Sequence, residues 1–171
     1  VGSSHTITAS DTDPATPLYV ANTSPTVVCD PGDAVKLQLL VPGETAAPGT
    51  STGKTGSPTT RTAGTSFNAT VNCVDAYYNI KPSAAPNVTV TTSDLYDTEP
   101  TSAILTGGTG TFAVTLKTAT TGHTISATSG TYTGDTSPTF TVNTNNATKL
   151  QVILPGETAV PGFSSGKTGS V

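Results

Sequence analysis

The segment GTSTGKT at Gly49–Thr55, echoed by GFSSGKT at Gly162–Thr168, carries the strongest chemical suggestion in the sequence, because Gly-rich loops closing on Lys-Thr can cradle phosphates. Such a loop needs four residues between its first Gly and the Gly-Lys pair, so that successive amides curl around the phosphates and lead into a helix. Here three intervene, and no helical pattern follows. The segment therefore reads as an ordered loop whose glycines take positive φ and whose Lys54 and Lys167 are solvated or pair with Glu44 and Glu157.

Carboxylates gather at Asp11 and Asp13, at Asp30 and Asp33, and at Asp94, Asp97 and Glu99. Acidic loops of this kind are where Ca²⁺ would stiffen an array, but the spacing matches no calcium-loop signature, and Asp beside Pro or Gly is ordinary turn chemistry. Asx-turns are the preferred reading: no cofactor is expected, with Ca²⁺ as the alternative. Asp75 and Asn79 flank Tyr77 and Tyr78 and are expected to close a turn, the tyrosines packing there or offering a stacking surface for sugar. His5 and His123 occupy equivalent positions with no second His, Cys pair or acid at ligand spacing, and read as structural. No Ser, His and acid set recurs in a way that suggests a nucleophile, so catalysis is unsupported. The sequons at Asn22, Asn68, Asn87 and Asn146 permit N-glycosylation, and the many Thr and Ser permit O-linked sugar.

The elements that hold these residues must be strands. Of 171 residues 38 are Thr, and 17 Gly and 13 Pro punctuate a chain in which only 11% of residues are charged, a composition opposed to long helices. Strands are expected at Val35–Val41, Ser66–Asp75, Asn87–Thr92, Thr111–Lys117, His123–Thr128 and Pro138–Val142, with weaker ones near Arg61 and Ala103. Phe67, Ala69, Val71 and Cys73 alternate onto one face, as do Phe112, Val114 and Leu116, with breakers at Pro42, Gly107, Gly108, Gly134 and Asn143. About seven strands in two antiparallel sheets, a Greek-key sandwich, is the simplest fit. The net charge of −4, with seven scattered Lys and Arg, disfavours nucleic acid, and no apolar run approaches membrane-spanning length. The chain opens at Val1 without Met or the regions of a signal peptide, which reads as a mature or excised segment.

A repeat organises the whole. Thr23–Pro58 aligns without gaps to Thr136–Val171 at a shift of 113, with 21 identities in 36 positions, and SHTITAS from Ser4 matches GHTISATS from Gly122 once a loop insertion near Asp11–Pro17 is allowed. Residues 1–33 are thus expected to be the tail of one unit, 34–146 a complete unit and 147–171 the head of the next. The KLQ strand followed by PGETA from Lys36, AGTSFNATVNCVDAYYN from Ala63 and GTGTFAVTL from Gly108 resemble the bacterial immunoglobulin-like repeats, of the invasin and adhesin type, found in large surface and filament proteins. The resemblance implies an extracellular structural bead that touches neighbouring repeats and other copies of itself, or else a stalk presenting a site for a surface glycan or protein ligand. Cys73 departs from the small apolar residue usual at its position. Cys29, aligned with Val142, is expected to pair with Cys73 as a staple between units, two separate buried thiols being the alternative.

Overall fold

In a computed structural model that describes residues 4–14 and 19–171, every regular element is a β-strand, seventeen in all. Part of the loop insertion expected over residues 11–17 lies outside the described residues. Among the described residues no helix is long and apolar enough to cross a membrane.

Two larger sheets organise residues 34–146. One places Phe67–Val74 between Thr109–Val114 and Lys36–Leu40, both antiparallel to it. The other runs Ala103–Ile104, Asn87–Thr92, Ile125–Thr128, Asp135–Thr136, again antiparallel throughout. Alternation explains how the two share an interior: Leu37, Leu39, Ala69, Val71, Phe112 and Val114 from the first sheet join Val88, Val90, Ile125 and Ala127 from the second in one buried cluster. Each Leu, Val, Ile or Phe side chain of this set removed from water contributes about 1.5–3 kcal/mol. Arg61–Thr62 pairs in parallel with Val142–Asn143, and Phe67 meets Phe140 edge-on at 6.3 Å.

The expected strands are found with small boundary shifts, except that Pro138–Val142 is reduced to Val142–Asn143 and a bridge from His123 to Phe140. Two elements escape the apolar pattern. Asp135–Thr136 is a short edge strand, and Glu44–Ala46 pairs with Lys54–Gly56 in a hairpin whose intervening loop lies over Gln38 on the first sheet's outer face, leaving that side chain fully buried. The free edge of Lys36–Leu40 is closed by other groups. Leu37 N–H donates to Thr133 O and Thr133 N–H to Val35 O, while Asp135 Oδ2 accepts from Leu39 N–H at 2.8 Å.

Pairing registers recur along the chain at the aligned positions. Glu44↔Gly56 and Ala46↔Lys54 reappear as Glu157↔Gly169 and Ala159↔Lys167. His123↔Phe140 and Ala127↔Asp135 match His5↔Val27 and Ala9↔Asn22. The hydrogen bond from Ile125 N–H to Ser137 Oγ matches that from Ile7 N–H to Ser24 Oγ, both at 3.0 Å.

Candidate functional site

The Gly-Lys-Thr loop is tied to the sheet beneath it through Gly53 and Lys54. Gln38 Nε2 donates to Gly53 O at 2.6 Å, Asn72 Nδ2 donates to Gln38 Oε1, and Thr109 Oγ1 donates to Asn72 Oδ1, so a buried polar chain crosses the three-stranded sheet beneath the loop. The Tyr78 ring lies against Gly53, where any Cβ would collide with it, and Lys36 Nζ sits 3.4 Å from the ring centroid on Tyr78. Gly53 is thus required by close packing and by its φ of 73°, rather than by a phosphate. Lys54 Nζ lies 3.6 Å from Glu44 and 3.3 Å from Asp135, and Lys167 lies 2.8 Å from Glu157, which bears out the pairing expected for both lysines.

The two thiols overturn the expected staple. Both cysteines are free: Cys29 is exposed, whereas Cys73 is fully buried opposite Leu37, and burial pushes its thiol up. The cause lies in the alternation itself, because the face that Cys73 shares with Ala69 and Val71 is the core face and cannot also reach the surface. The position aligned with Cys29, Val142, is likewise buried in the core cluster.

Asp75 closes its turn as expected and does more. Its carboxylate accepts from Tyr77 N–H, from the backbone and side chain of Asn79, and from Gly32 N–H at 2.9 Å, forty-three residues away. Tyr78 takes a φ of 66° inside that turn, the left-handed conformation that the turn imposes. Lys81 adds a hydrogen bond to Pro31 O and an ion pair with Asp33 at 3.8 Å, so residues 31–33 are held against the body that follows them. Burial alone would raise the Asp75 carboxyl, but the donors from Asn79, Gly32 and Tyr77 outweigh it and hold the group below the ordinary carboxylate range.

The carboxylates at 94, 97 and 99 are occupied by nearby donors. Asp94, buried, takes Lys117 N–H at 2.6 Å, Thr118 N–H at 2.7 Å and Thr118 Oγ1 at 2.8 Å, and forms an Asx-turn with Tyr96 N–H. Burial opposes its ionisation, yet the Thr118, Tyr96 and Lys117 donors together leave the carboxyl below its usual value. Asp97 accepts from Thr92 Oγ1 and Glu99 from Thr92 N–H; burial, helped by the charge on Asp97, pushes Glu99 up. Asp11 forms a third Asx-turn with Asp13 N–H. Among the described residues no group of three or more His, Cys, Asp or Glu is placed to hold a metal.

Sequence reading missed that Ser93, Asp94 and His123 come together. His123 is buried, with Nε2 2.8 Å from Thr118 O and Nδ1 3.2 Å from Ser93 Oγ. Because a carbonyl only accepts, Nε2 carries a proton and donates to Thr118 O, while Nδ1 shares a hydrogen bond with Ser93 Oγ. The Asp94 carboxylate faces Lys117 and Thr118, so the three residues fasten loops together rather than line up as a relay. Next to them Tyr96 meets Phe163 at 5.6 Å between ring centroids, and Thr118 Oγ1 reaches Pro161 O at 3.5 Å, docking the second Gly-Lys-Thr loop on residues 96–118. Tyr77 stands exposed, and all four sequon asparagines are exposed.

No protein-family model matches the chain, and no curated protein matches it.

Proposed function

We propose that this chain is part of a non-enzymatic structural protein of the cell surface or of an extracellular filament, built from tandem immunoglobulin-like beads. Residues 34–146 are one complete Greek-key sandwich in this reading, with 1–33 and 147–171 belonging to its neighbours. The observation that carries it is the recurrence of strand registers at positions the sequence alignment pairs, from His5↔Val27 to Ala159↔Lys167. Burial supports the same assignment: Leu37 and Leu39, 2% and 0% exposed, align with Leu150 and Val152, 100% and 69% exposed, as expected of positions that a unit's own central strand covers. The hydrogen bond from Gly32 to Asp75 and the contact of Phe163 with Tyr96 are then the links that set bead orientation.

An adhesive role presented on the same bead is the second reading, favoured by the exposed Tyr77, 71% accessible, beside the packed Tyr78. Electron microscopy of the native polypeptide separates the two. Regular beaded fibres support the structural array; dispersed particles that bind a glycan array, with binding lost in Tyr77→Ala, refute it in favour of adhesion.

A further inference from the structure

We infer that the outer edge of the strand Thr109–Val114 is an interaction surface for a second copy of this chain, which pairs with it antiparallel, edge to edge, across a two-fold axis at Phe112. The surface belongs to the three-stranded sheet alone, so the pairing holds whether or not the chain is part of a tandem array.

The other edges of the two larger sheets are short or closed. Ala103–Ile104 and Asp135–Thr136 are each two residues long, and Lys36–Leu40 is covered by Thr133 and Asp135. Thr109–Val114 is six residues long and lies at the margin of its sheet, where among the described residues its strand partner is Phe67–Val74 alone. Cys73 N–H donates to Gly108 O, which sets the phase of the ladder: Gly110, Phe112 and Val114 aim their backbone groups at that partner, and Thr109, Thr111 and Ala113 aim theirs away from it. Thr109 satisfies its pair with Thr106 across the turn at Gly107 and Gly108. Thr111 and Ala113 keep an outward N–H and C=O each, and both side chains are exposed. Such edges are ordinarily guarded by lysine, proline or a bulge, yet GTGTFAVTL from Gly108 to Leu116 holds neither charge nor proline. Ile104, at the margin of the second sheet just before the same turn, leaves an apolar side chain 68% exposed on this flank.

A second copy fits because the edge is complementary to itself. Centred on Phe112, the pairing sets Thr111 opposite Ala113 of the second copy and Ala113 opposite its Thr111, so every outward N–H meets an outward C=O. Centring on Thr111 would set Ala113 against Thr109, whose groups are occupied; centring on Ala113 would set Thr111 against Thr115, which lies past the end of the strand. The two Phe112 residues then stand directly opposite, and the alternation of buried and exposed side chains runs unbroken from one copy into the next. Although the chain carries a net charge of −4, no like charges oppose each other along this edge. A single short strand pair buries less than the roughly 800 Å² per partner of a stable interface, so the association is weak, with a Kd on the order of 0.1–1 mM.

The test uses the 171-residue chain carrying Cys29→Ser, which removes the exposed native thiol. Thr111→Cys and Ala113→Cys are made separately in that background and oxidised alone and as a mixture. The mixture should yield at least about ten-fold more disulfide-linked dimer than either variant alone, joined from position 111 to position 113, because directly opposed Cα atoms about 5.5 Å apart suit a disulfide and diagonal ones do not. In reducing buffer the wild-type chain should sediment with an average mass that climbs toward two chains as its concentration approaches about 1 mM. Ala113→Lys and, as an independent check, Thr111→Lys should abolish that rise at an unchanged thermal midpoint, since both side chains face solvent. A wild-type chain that stays single throughout, a dimer that persists in both lysine variants, or crosslinking as strong in one cysteine variant alone as in the mixture overturns the inference. None of these readouts depends on fibres, so the array reading stands or falls separately.

Discussion

Removing the Asp94 carboxylate should destabilise residues 34–146 by about 3 kcal/mol, a large fraction of the roughly 5–15 kcal/mol typical of a domain. The figure follows from its four donors. Lys117 and Thr118 N–H, at 2.6 and 2.7 Å, lose a charged acceptor where the loop turns inward, and each such loss is worth about 1.5–3 kcal/mol. Thr118 Oγ1 and Tyr96 N–H are only partly covered and can turn to water, so the total stays near the lower sum. In urea at pH 7, Asp94→Ala should lower the unfolding midpoint by about 1–3 M at unchanged slope. The sign with pH follows from the lowered carboxyl. Its contribution is complete above the unfolded-state value of about 3.9 and fades as pH falls through the lower folded value, so wild type and variant should converge only below about pH 4. Asp94→Asn, which keeps one acceptor, should fall between the two and lose that pH dependence. A destabilisation under about 1 kcal/mol by Asp94→Ala, or one that does not change between pH 7 and pH 3, would refute this account of the loop.

Other perturbations probe separate contacts. Phe163→Thr, which installs the residue found at the aligned Thr50, should free the second loop from Tyr96; spin labels at Ser164 and Thr98 should show a broader distance distribution, a change corresponding to about 0.5–1.5 kcal/mol. Under native conditions a thiol reagent should label Cys29 at once and Cys73 only as the protein unfolds, and two equally fast thiols would contradict the burial of Cys73. Asn72→Leu should cost about 2–4 kcal/mol in thermal unfolding, because Gln38 and Thr109 lose a buried partner beneath the Gly53 loop. Gly53→Ala should release that loop from Tyr78, read as faster amide exchange over residues 47–55.

The strands that carry the core were legible because their apolar residues alternate, and Phe67–Val74 emerges from the sequence with its inward set correct. The hairpin Glu44–Ala46 with Lys54–Gly56 was not legible as strand, since it folds over an outer face already polar and holds there through Gln38, Glu44 and Lys54 rather than through an apolar stripe. The pairing of Lys54 with Glu44 was nevertheless readable from the repeat, because both residues recur at the same separation. Asp135 was invisible to that reasoning: it lies eighty-one residues beyond Lys54 and reaches it only because Thr133 pairs with Val35 and Leu37 at the sheet edge. The cysteine error has the same root. Placing the end of a strand at the correct pole says nothing of which face a side chain takes, and at Cys73 the alternation already assigned the core.

What differs between aligned positions is as informative as what is shared. The shared residues, Gln38 with Gln151, Glu44 with Glu157 and Lys54 with Lys167, fasten each hairpin to the segment that precedes it, and the same pairs of residues meet at both places. In the array reading, the divergent ones sit where one unit meets the next. Gly32 gives its N–H to Asp75 and Asp33 pairs with Lys81, whereas the aligned Asn145 instead donates to Ala63 O at 3.3 Å within residues 34–146. Thr50 gives its hydroxyl to Ala47 O in its own loop, whereas the aligned Phe163 reaches across to Tyr96. Substitutions at these positions change contacts between those segments without touching the core cluster of residues 37–142. In the array reading, each junction then carries its own stiffness: the first is set by a carboxylate accepting a backbone N–H, which acid weakens, and the second by the aromatic contact of Phe163 with Tyr96.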